Sequence, residues 1–419
     1  MGDRKETMSD RNERVRVLFS FPLRLGADRI CGIAWQQVNG LAAAGADVLC
    51  FPASISRPVY PGVRVFPTLE RGKFRVPYRV VGTLRAAGWH DRIVAHRIEK
   101  LAGQIDIVHM WPTGALESLK TAARLGIPTV LERPNAHTDF AMKVVQEECD
   151  RLGVVLPPDH EHAYNAEKLS KEEEEYRLAD QLLCPSDFVL KTFLDKGFAK
   201  EQLARHRYGF DEKLYHPSDE SRDPKRGLTM LFVGVCAVRK GVHYALEAWL
   251  RSPASKDGTF FIAGEFLPAY REKLAPMLSH PSVKVLGHRK DVPELMRKSD
   301  ILVLPSIEEG SALVTSEARG SGCVLLVSEA AGAICRHMEN ALVHPVGDVS
   351  TLAQHITWLQ QDRAVLERLR VASLATASEL TWKAAGRMLL EAYRETIAAH
   401  RASLHKETGQ VREVVPVKS

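Results

Sequence analysis

The sequence contains no closely spaced pair of cysteines. Its seven cysteines form no C-x-x-C motif, and their number is odd. Paired cysteines would be expected in a small disulfide-bonded secreted domain or in a thiolate metal site. Because most of the seven lie within apolar runs, we expect buried, reduced thiols of the kind found in cytoplasmic proteins.

Long apolar segments and an excess of charge of one sign are also absent. No window approaches the length of about 18 apolar residues that a membrane-spanning helix needs, and residues 1–16 lack the apolar core of a signal peptide. The formal net charge of +5 over 419 residues is too small to indicate a nucleic-acid-binding protein. We therefore expect a cytoplasmic protein that is soluble or peripheral to the inner face of a membrane.

Short apolar runs of strand length alternate with helical segments in two separate series. A chain of 419 residues exceeds what one hydrophobic core usually accommodates. Nearly continuous apolar runs are typical of parallel strands that are covered on both faces. A polar passage at 216–226 separates the two series, so the sequence predicts two α/β domains. The strand candidates are 15–21, 47–52, 63–67, 105–110, 129–133 and 181–185, then 230–233, 260–264, 283–287, 301–305, 324–328 and 342–345.

The most informative stretch is 301–332. It combines a buried strand, a turn with paired carboxylates and glycine, a helix start and a second buried strand. Glu309 and Glu317 would lie near the carboxyl edge of a parallel sheet, where ligands bind in open α/β folds. Two acids at this spacing are common, however, and they are also compatible with a polar turn whose acids are favoured at a helix N-terminus.

Several segments resemble the family-four retaining (group 1) glycosyltransferases of the GT-B fold. The resemblance is carried by 231–249, 283–322 and 341–348, and more loosely by 178–193 and 208–217. It implies an α/β GT-B architecture of two Rossmann-like domains with a cleft between them. The implied boundaries are 14–209 for an acceptor-side domain, 228–381 for a nucleotide-sugar-binding domain, and 382–403 for a helix that crosses back to the first domain.

The resemblance also implies an activity. The enzyme would move a hexose from a nucleoside-diphosphate sugar to a hydroxyl group of a glycan, a lipid-linked acceptor or a small molecule, with retained anomeric configuration, in polysaccharide biosynthesis. The chain has no D-x-D motif, the usual metal-binding pattern of the other large glycosyltransferase fold, so we expect no metal and no cofactor besides the donor. Two alternatives remain: a non-catalytic glycan- or nucleotide-binding relative, or another GT-B enzyme such as a phosphorylase or a nucleotide-sugar epimerase.

In the second domain the resemblance assigns roles to residues of two loops. Glu317 would bind the ribose hydroxyls, Glu309 would lie beside the hexose, and Lys240 would neutralise the diphosphate. The family usually adds an arginine where this chain has Val235. Arg239 is a candidate substitute, although adjacent side chains in this loop point in different directions, so we expect that Arg239 and Lys240 do not reach the same phosphates. Backbone N–H groups at a helix N-terminus would face the sugar and diphosphate; they belong to Gly310, Ser311, Ala312 and Leu313.

The remaining candidates come from other loops. His137 matches a histidine that contacts the sugar near its reacting carbon, and Gly26 matches a glycine loop near the phosphates. His288 and Arg289 match the loop that borders the nucleobase. Each also has a plain interpretation as a structural or surface residue.

Three charged stretches are predicted to lie outside the catalytic machinery. The spacing of 159–162, Asp-His-Glu-His, fits no helical metal site, so we expect an exposed loop. We expect 172–175 to be a solvated helix face. Residues 51–100 hold ten Lys/Arg against three acids, with interleaved aromatics, and the spacing of Arg71, Arg75 and Arg79 would align them on one helical face. This stretch is either a solubilising surface or a docking surface for anionic lipid.

Overall fold

The computed structural model describes residues 14–158, 160–218 and 226–410. Most of the segment at 1–16, Asp159 of the predicted loop and much of the predicted linker at 216–226 lie outside the described residues. The described chain forms two parallel sheets covered by helices. The predicted α/β class is confirmed.

The first half of the chain builds a seven-stranded parallel sheet of order β3-β2-β1-β6-β7-β8-β9. A small antiparallel pair, β4-β5, lies apart from it. The elements are β1 (Arg16–Leu25), α1 (Ile30–Ala43), β2 (Asp47–Ile55), β3 (Arg64–Val65), β4 (Glu70–Arg71), β5 (Phe74–Arg75), α2 (Tyr78–Val81), α3 (Thr83–Leu101), β6 (Ile107–Met110), α4 (Leu116–Arg124), β7 (Thr129–Glu132), α5 (Thr138–Leu152), α6 (Ala166–Leu178), β8 (Gln181–Cys184), α7 (Asp187–Leu194) and β9 (Leu203–Arg205).

The second half builds a six-stranded parallel sheet of order β12-β11-β10-β13-β14-β15. Every residue of β13 and β14 is buried, because helices cover both faces of these apolar strands. The elements are β10 (Thr229–Val233), α8 (Val242–Arg251), β11 (Thr259–Ala263), α9 (Pro268–Leu278), β12 (Val283–Gly287), α10 (Val292–Lys298), β13 (Ile301–Leu304), α11 (Leu313–Gly320), β14 (Val324–Ser328), β15 (Ala341–His344), α12 (Val349–Gln361), α13 (Arg363–Ala375) and α14 (Trp382–Gln410).

In each sheet, successive strands are first added on one side of the first strand and then, after a single switch, on its other side. The switch lies between β1 and β6 in the first sheet, and between β10 and β13 in the second. At such a switch point the loops on either side leave in opposite directions and open a crevice at the carboxyl ends of the strands, where ligands bind. The topology therefore places one crevice in each domain.

Each domain also contributes a helix to its neighbour. The long helix α14 packs against α1, and Leu389, Tyr393 and Ile397 join the core of the first domain. In the opposite direction, Val145 and Cys149 of α5 are part of the core of the second domain. These apolar contacts fix α5 across the junction of the two domains.

Candidate functional site

The crevice of the second domain holds a cluster of charged side chains. Arg239 and Lys240 end the loop that follows β10, and Glu309 lies in the loop that follows β13. The two loops approach closely at Gly241, where a Cβ atom would stand 2.0 Å from the carbonyl oxygen of Pro305. Only glycine fits there, and its φ of +66° is one that glycine adopts without strain.

Glu309 lies between the two cations. Its Oε1 pairs with the ammonium of Lys240, and its Oε2 lies 3.0 Å from Nη1 of Arg239. The three side chains are only 7 to 15% exposed. One carboxylate therefore offers an oxygen to each of the two cations. The expectation that Arg239 and Lys240 do not reach the same phosphates stays a prediction.

Burial and neighbouring charges shift the pKa values of this cluster in opposite directions. Burial lowers the pKa of Lys240, although the carboxylate of Glu309 works against that shift. Burial alone would raise the pKa of the neighbouring Glu308, but the hydrogen bond from His162 and the charge of Arg239 hold it at about 2. The crevice thus holds two cations and two carboxylates that are paired with one another and buried.

Glu308 joins the two domains and was missed by the sequence analysis. Its carboxylate accepts hydrogen bonds from the backbone N–H of Ala136 and from Nε2 of His162, both at 3.1 Å. Its Oε2 also lies 3.4 Å from Nη1 of Arg239. His162 is 3% exposed, so the predicted exposed loop at 159–162 is wrong at this residue. Two signals were present in the sequence: the paired carboxylates of the turn after β13, and the acid- and histidine-rich composition of the loop at 159–162.

The start of α11 is covered by the first domain. A Cβ atom on Gly310 would stand 1.5 Å from the carbonyl oxygen of Pro134, and the Gly310 carbonyl accepts a hydrogen bond from Oγ of Ser186 at 2.5 Å. The N–H of Ala312 points to the carbonyl of Ala331 at 3.4 Å. Ser311 and Leu313 flank this residue and are half-buried. This loop is therefore a contact between domains as well as a helix N-terminus.

Glu317 lies one helical turn further along α11. It is half-buried and forms a hydrogen bond with the phenol of Tyr215. Burial raises its pKa to about 7, against the effect of that hydrogen bond. A carboxyl group in one hydrogen bond has further acceptor sites on its two oxygens.

The first domain contains a cavity of about 440 Å³. It opens at the carboxyl ends of β1, β6 and β7, so it occupies the crevice at the switch point of the first sheet. Phe21, Trp111 and Met142 supply apolar walls, while Arg133 and His162 supply polar ones. Because His162 also contacts Glu308, the cavity adjoins the charged cluster of the second domain.

Two glutamates of α6 are buried, which corrects the prediction of a solvated face for 172–175. Glu172 is 3% exposed and accepts a hydrogen bond from Oη of Tyr176 at 2.6 Å. Glu175 accepts hydrogen bonds from the backbone N–H groups of Thr113 and Ala115 at 2.8 and 3.0 Å. Burial raises the pKa of Glu175 to about 8. These contacts fix the cavity wall after β6, where Thr113 has a φ of +67°.

The structure does not bring every candidate to the cluster. His137 is buried against the rings of Tyr176 and Phe193, and burial lowers its pKa to about 4. Gly26 follows β1 with a φ of +80°.

His288 and Arg289 are exposed after the edge strand β12. That strand is two positions from β10, so it lies about 10 Å from it. Arg289 contacts Asp291 at 2.5 Å.

Within 14–158, 160–218 and 226–410 no three His, Cys, Asp or Glu side chains are grouped as ligands for a metal ion. Over the same part of the chain, no helix has the length and apolar character needed to cross a bilayer.

Comparison with known proteins identifies the second domain. Residues 227–362 match the family described as "Glycosyl transferases group 1". This domain is a group 1 glycosyltransferase domain. Two curated relatives match the chain, each over about a quarter of its own length. Lipopolysaccharide glucosyltransferase WaaG of Escherichia coli is 33% identical over 106 residues, which is 25% of this chain and 28% of that protein. An N,N'-diacetylbacillosaminyl-diphospho-undecaprenol alpha-1,3-N-acetylgalactosaminyltransferase of Campylobacter jejuni is 30% identical over 107 residues, again 25% and 28%.

The fold resembles that of solved structures along nearly the whole chain. One is WaaG, a glycosyltransferase involved in lipopolysaccharide biosynthesis, which superposes with a TM-score of 0.61 at 14% identity, covering 90% of this chain and 99% of WaaG. The crystal structure of Anabaena HepE in complex with UDP superposes with a TM-score of 0.61 at 17% identity, covering 91% of this chain and 100% of HepE. The group 1 glycosyltransferase domain is therefore the second half of a GT-B fold, as the sequence predicted.

Proposed function

We propose that the protein is a glycosyltransferase that moves a hexose from a nucleoside-diphosphate sugar to an acceptor hydroxyl group, with retention of configuration and without a metal ion. The observation that carries the proposal is the buried cluster of Arg239, Lys240 and Glu309 in the crevice of a group 1 glycosyltransferase domain. The donor would occupy this crevice, and the acceptor would occupy the cavity of the first domain.

The chemical difficulty is the departure of a nucleoside diphosphate from an oxocarbenium-like carbon. Arg239 and Lys240 are preorganised cations in a site with little water, so they stabilise the negative charge that develops on the leaving group. Glu317 would hold the ribose through its free carboxylate oxygen. Closure of the domains around both substrates would favour transfer over hydrolysis.

A thermal-shift screen tests donor binding. Nucleoside diphosphates of each base are added to the full-length protein, followed by a panel of nucleotide sugars for the best base. A ligand present at 100 times its dissociation constant should add about 2.7 kcal/mol of stability. If no nucleotide raises the melting temperature, the proposal is contradicted and a non-catalytic relative is favoured.

The reaction products distinguish a glycosyltransferase from a phosphorylase and from a nucleotide-sugar epimerase. Transfer of sugar to a hydroxyl group supports the proposal, strict dependence on inorganic phosphate would indicate a phosphorylase, and interconversion of the donor without an acceptor would indicate an epimerase. Transfer and epimerisation are read by chromatography of the nucleotide sugar and its products, whereas phosphorolysis is read from a glycan incubated with and without phosphate.

The first domain also carries a candidate surface for anionic lipid. Phe74 and Val80 are 84% and 82% exposed, and the neighbouring Lys73, Arg75 and Arg79 are exposed as well. The predicted helical row of arginines is wrong, because Arg75 belongs to the β4-β5 pair and only Arg79 lies in a helix. Exposed aromatic and aliphatic side chains among basic ones suit the headgroup region of a membrane, at about 1 kcal/mol per basic residue.

This surface adjoins the proposed acceptor cavity. Thr83, Leu84 and Ala87 at the start of α3 line the cavity, and they follow the exposed segment directly in the chain. A lipid-linked acceptor could then be presented from the bilayer to the cavity. We infer peripheral contact with an anionic membrane as part of the proposed function.

Sedimentation with vesicles tests this contact. Binding to vesicles of phosphatidylcholine and phosphatidylglycerol should exceed binding to phosphatidylcholine alone, and should weaken as salt shortens the screening length to about 8 Å. Glutamate substitutions at Lys73, Arg75 and Arg79 should abolish the difference. A control variant carries the same substitutions at exposed basic residues elsewhere, Lys143, Arg251 and Arg336. Equal loss in both variants would contradict a local docking surface.

A further inference from the structure

Glu148 of the first domain forms hydrogen bonds with the second domain. It lies on α5, next to Cys149, which is part of the core of the second domain. Its Oε1 lies 2.7 Å from Nε2 of His243 and 2.7 Å from Oη of Tyr244. Both partners belong to the first turn of α8. The first domain therefore holds the start of this helix through a charged side chain as well as through apolar packing.

The direction of each hydrogen bond follows from the charge of Glu148. Burial acts to raise the pKa of this carboxyl group, but the hydrogen bonds that it accepts, foremost that from Arg151, hold it at about 2. An ionised carboxylate only accepts, so Nε2 of His243 donates to it. Burial lowers the pKa of His243, and Nδ1 of the neutral ring accepts from Oη of Tyr270 at 2.6 Å. Both ring nitrogens are thus held in one tautomer.

The first turn of α8 directly follows the residue proposed to bind the diphosphate. Two residues separate Lys240 from His243. The carbonyl of Gly241 accepts a hydrogen bond from the backbone N–H of Tyr244 at 2.9 Å, and a Cβ atom on Gly241 would stand 3.2 Å from Cδ2 of the Tyr244 ring. Tyr244 therefore holds the turn that carries Lys240, and Glu148 holds the hydroxyl group of Tyr244.

We propose that Glu148 positions Lys240 for the diphosphate of the donor by holding the first turn of α8. The inference rests on the proposed function, because Lys240 needs a fixed position only if a diphosphate binds beside it. Glu148 acts through α8 and is not itself a ligand of the donor. Since Glu148 belongs to the first domain, the geometry of the donor crevice depends on how the two domains meet.

Helix α5 also forms part of the wall of the proposed acceptor cavity. Thr138, Ala141 and Met142 near its start line the cavity, whereas Glu148 lies towards its other end. One helix therefore extends from the cavity to the loop that carries Lys240. The position of this cation is thus tied to a wall of the acceptor cavity.

A double-mutant cycle on UDP binding tests the proposal. Glu148→Met keeps most of the length of the side chain and removes both oxygens. UDP affinity of the full-length protein, measured by calorimetric titration, should fall by about 10-fold, the lower end of what one hydrogen bond to a charged group contributes. In a Lys240→Gln background the same change should alter UDP affinity by less than about 2-fold, because the cation that is positioned has been removed.

Two matched variants separate positioning from a general loss of structure. Glu148→Gln should recover most of the UDP affinity, because its amide oxygen can accept from both His243 and Tyr244. Glu147→Met changes an exposed neighbour on the same helix and should leave UDP affinity at the wild-type value. Tyr244→Phe removes only the hydroxyl group that Glu148 holds and should weaken UDP binding in the same direction, so it carries the test if Glu148→Met does not fold.

The outcomes separate this proposal from the proposed function. UDP affinity in Glu148→Met or Tyr244→Phe equal to that in Glu147→Met would overturn the role of Glu148 alone. So would a loss of the same size with and without Lys240, because it would indicate a structural role that does not act through this cation. A folded wild-type protein that binds no nucleoside diphosphate would contradict the proposed function and this inference with it.

Discussion

Replacing Glu309 by glutamine should weaken the fold while tightening the binding of a nucleoside diphosphate. In the free protein Glu309 pairs with both Lys240 and Arg239. A diphosphate that uses these cations must displace the carboxylate. Glu309→Gln keeps the shape of the side chain and removes its charge, so Lys240 loses its carboxylate partner and Arg239 keeps only Glu308, at 3.4 Å.

The structure allows us to estimate both the loss of stability and the gain in UDP affinity. Removing one partner of a buried ion pair costs about 3 to 5 kcal/mol, and the cluster is at most 15% exposed. The free energy of unfolding should therefore fall by an amount in that range. A hydrogen bond between charged groups contributes about 1.5 to 3 kcal/mol, so UDP should bind about 10- to 150-fold more tightly when the carboxylate of Glu309 no longer competes.

Calorimetric titration with UDP and urea denaturation measure the two effects. Glu265→Gln is the matched control, because Glu265 follows β11 at the same edge of the sheet but is exposed. Turnover of the donor should fall in Glu309→Gln, since the carboxylate is expected to lie beside the hexose. UDP binding that is equal to or weaker than in Glu265→Gln would refute the competition between Glu309 and the phosphates.

Three further predictions address the nucleotide, the metal and the pH dependence. Glu317→Ala should weaken nucleotide binding and transfer together by about 1.5 to 3 kcal/mol, and unchanged affinity in a folded variant would return Glu317 to a structural role. Transfer should survive exhaustive chelation, and a loss that magnesium or manganese restores would contradict the proposed leaving-group mechanism. The pKa of Glu175 is raised from 4.5 to about 8 in the folded protein, so the folded state binds more protons than the unfolded state between these values. Its contribution to stability should fall by up to about 1.4 kcal/mol per pH unit as pH rises through that window. In Glu175→Gln this decrease of the free energy of unfolding with pH, measured by urea denaturation at several pH values, should disappear. An unchanged pH dependence would show that Glu175 is not its source.

The sequence determined the α/β class because the apolar run of each buried strand can be recognised without knowledge of the fold. The apolar runs 301–305 and 324–328 correspond to the buried strands β13 and β14. Once both are parallel strands, the residues that follow them must lie at one edge of the sheet. The approach of Lys240 to Glu309 therefore follows from local sequence and a topological rule.

Short elements and burial of charged residues were less predictable. The strand predicted at 63–67 is reduced to the two residues of β3. Composition suggested a solvated face for the acids of α6, yet Glu175 is buried because backbone N–H groups after β6 donate to it. A charged side chain is buried when it finds partners, and those partners belong to another element.

Only the tertiary structure decided how the two crevices are connected. Glu308 and His162 are 146 residues apart in sequence, and their hydrogen bond exists because the domains meet at this point. The apolar face of α5 looks like that of any amphipathic helix, and nothing in its periodicity indicates that Val145 packs into the core of the second domain. Periodicity specifies which side of a helix is buried, whereas the partner of that side depends on shape and charge assembled from the whole chain.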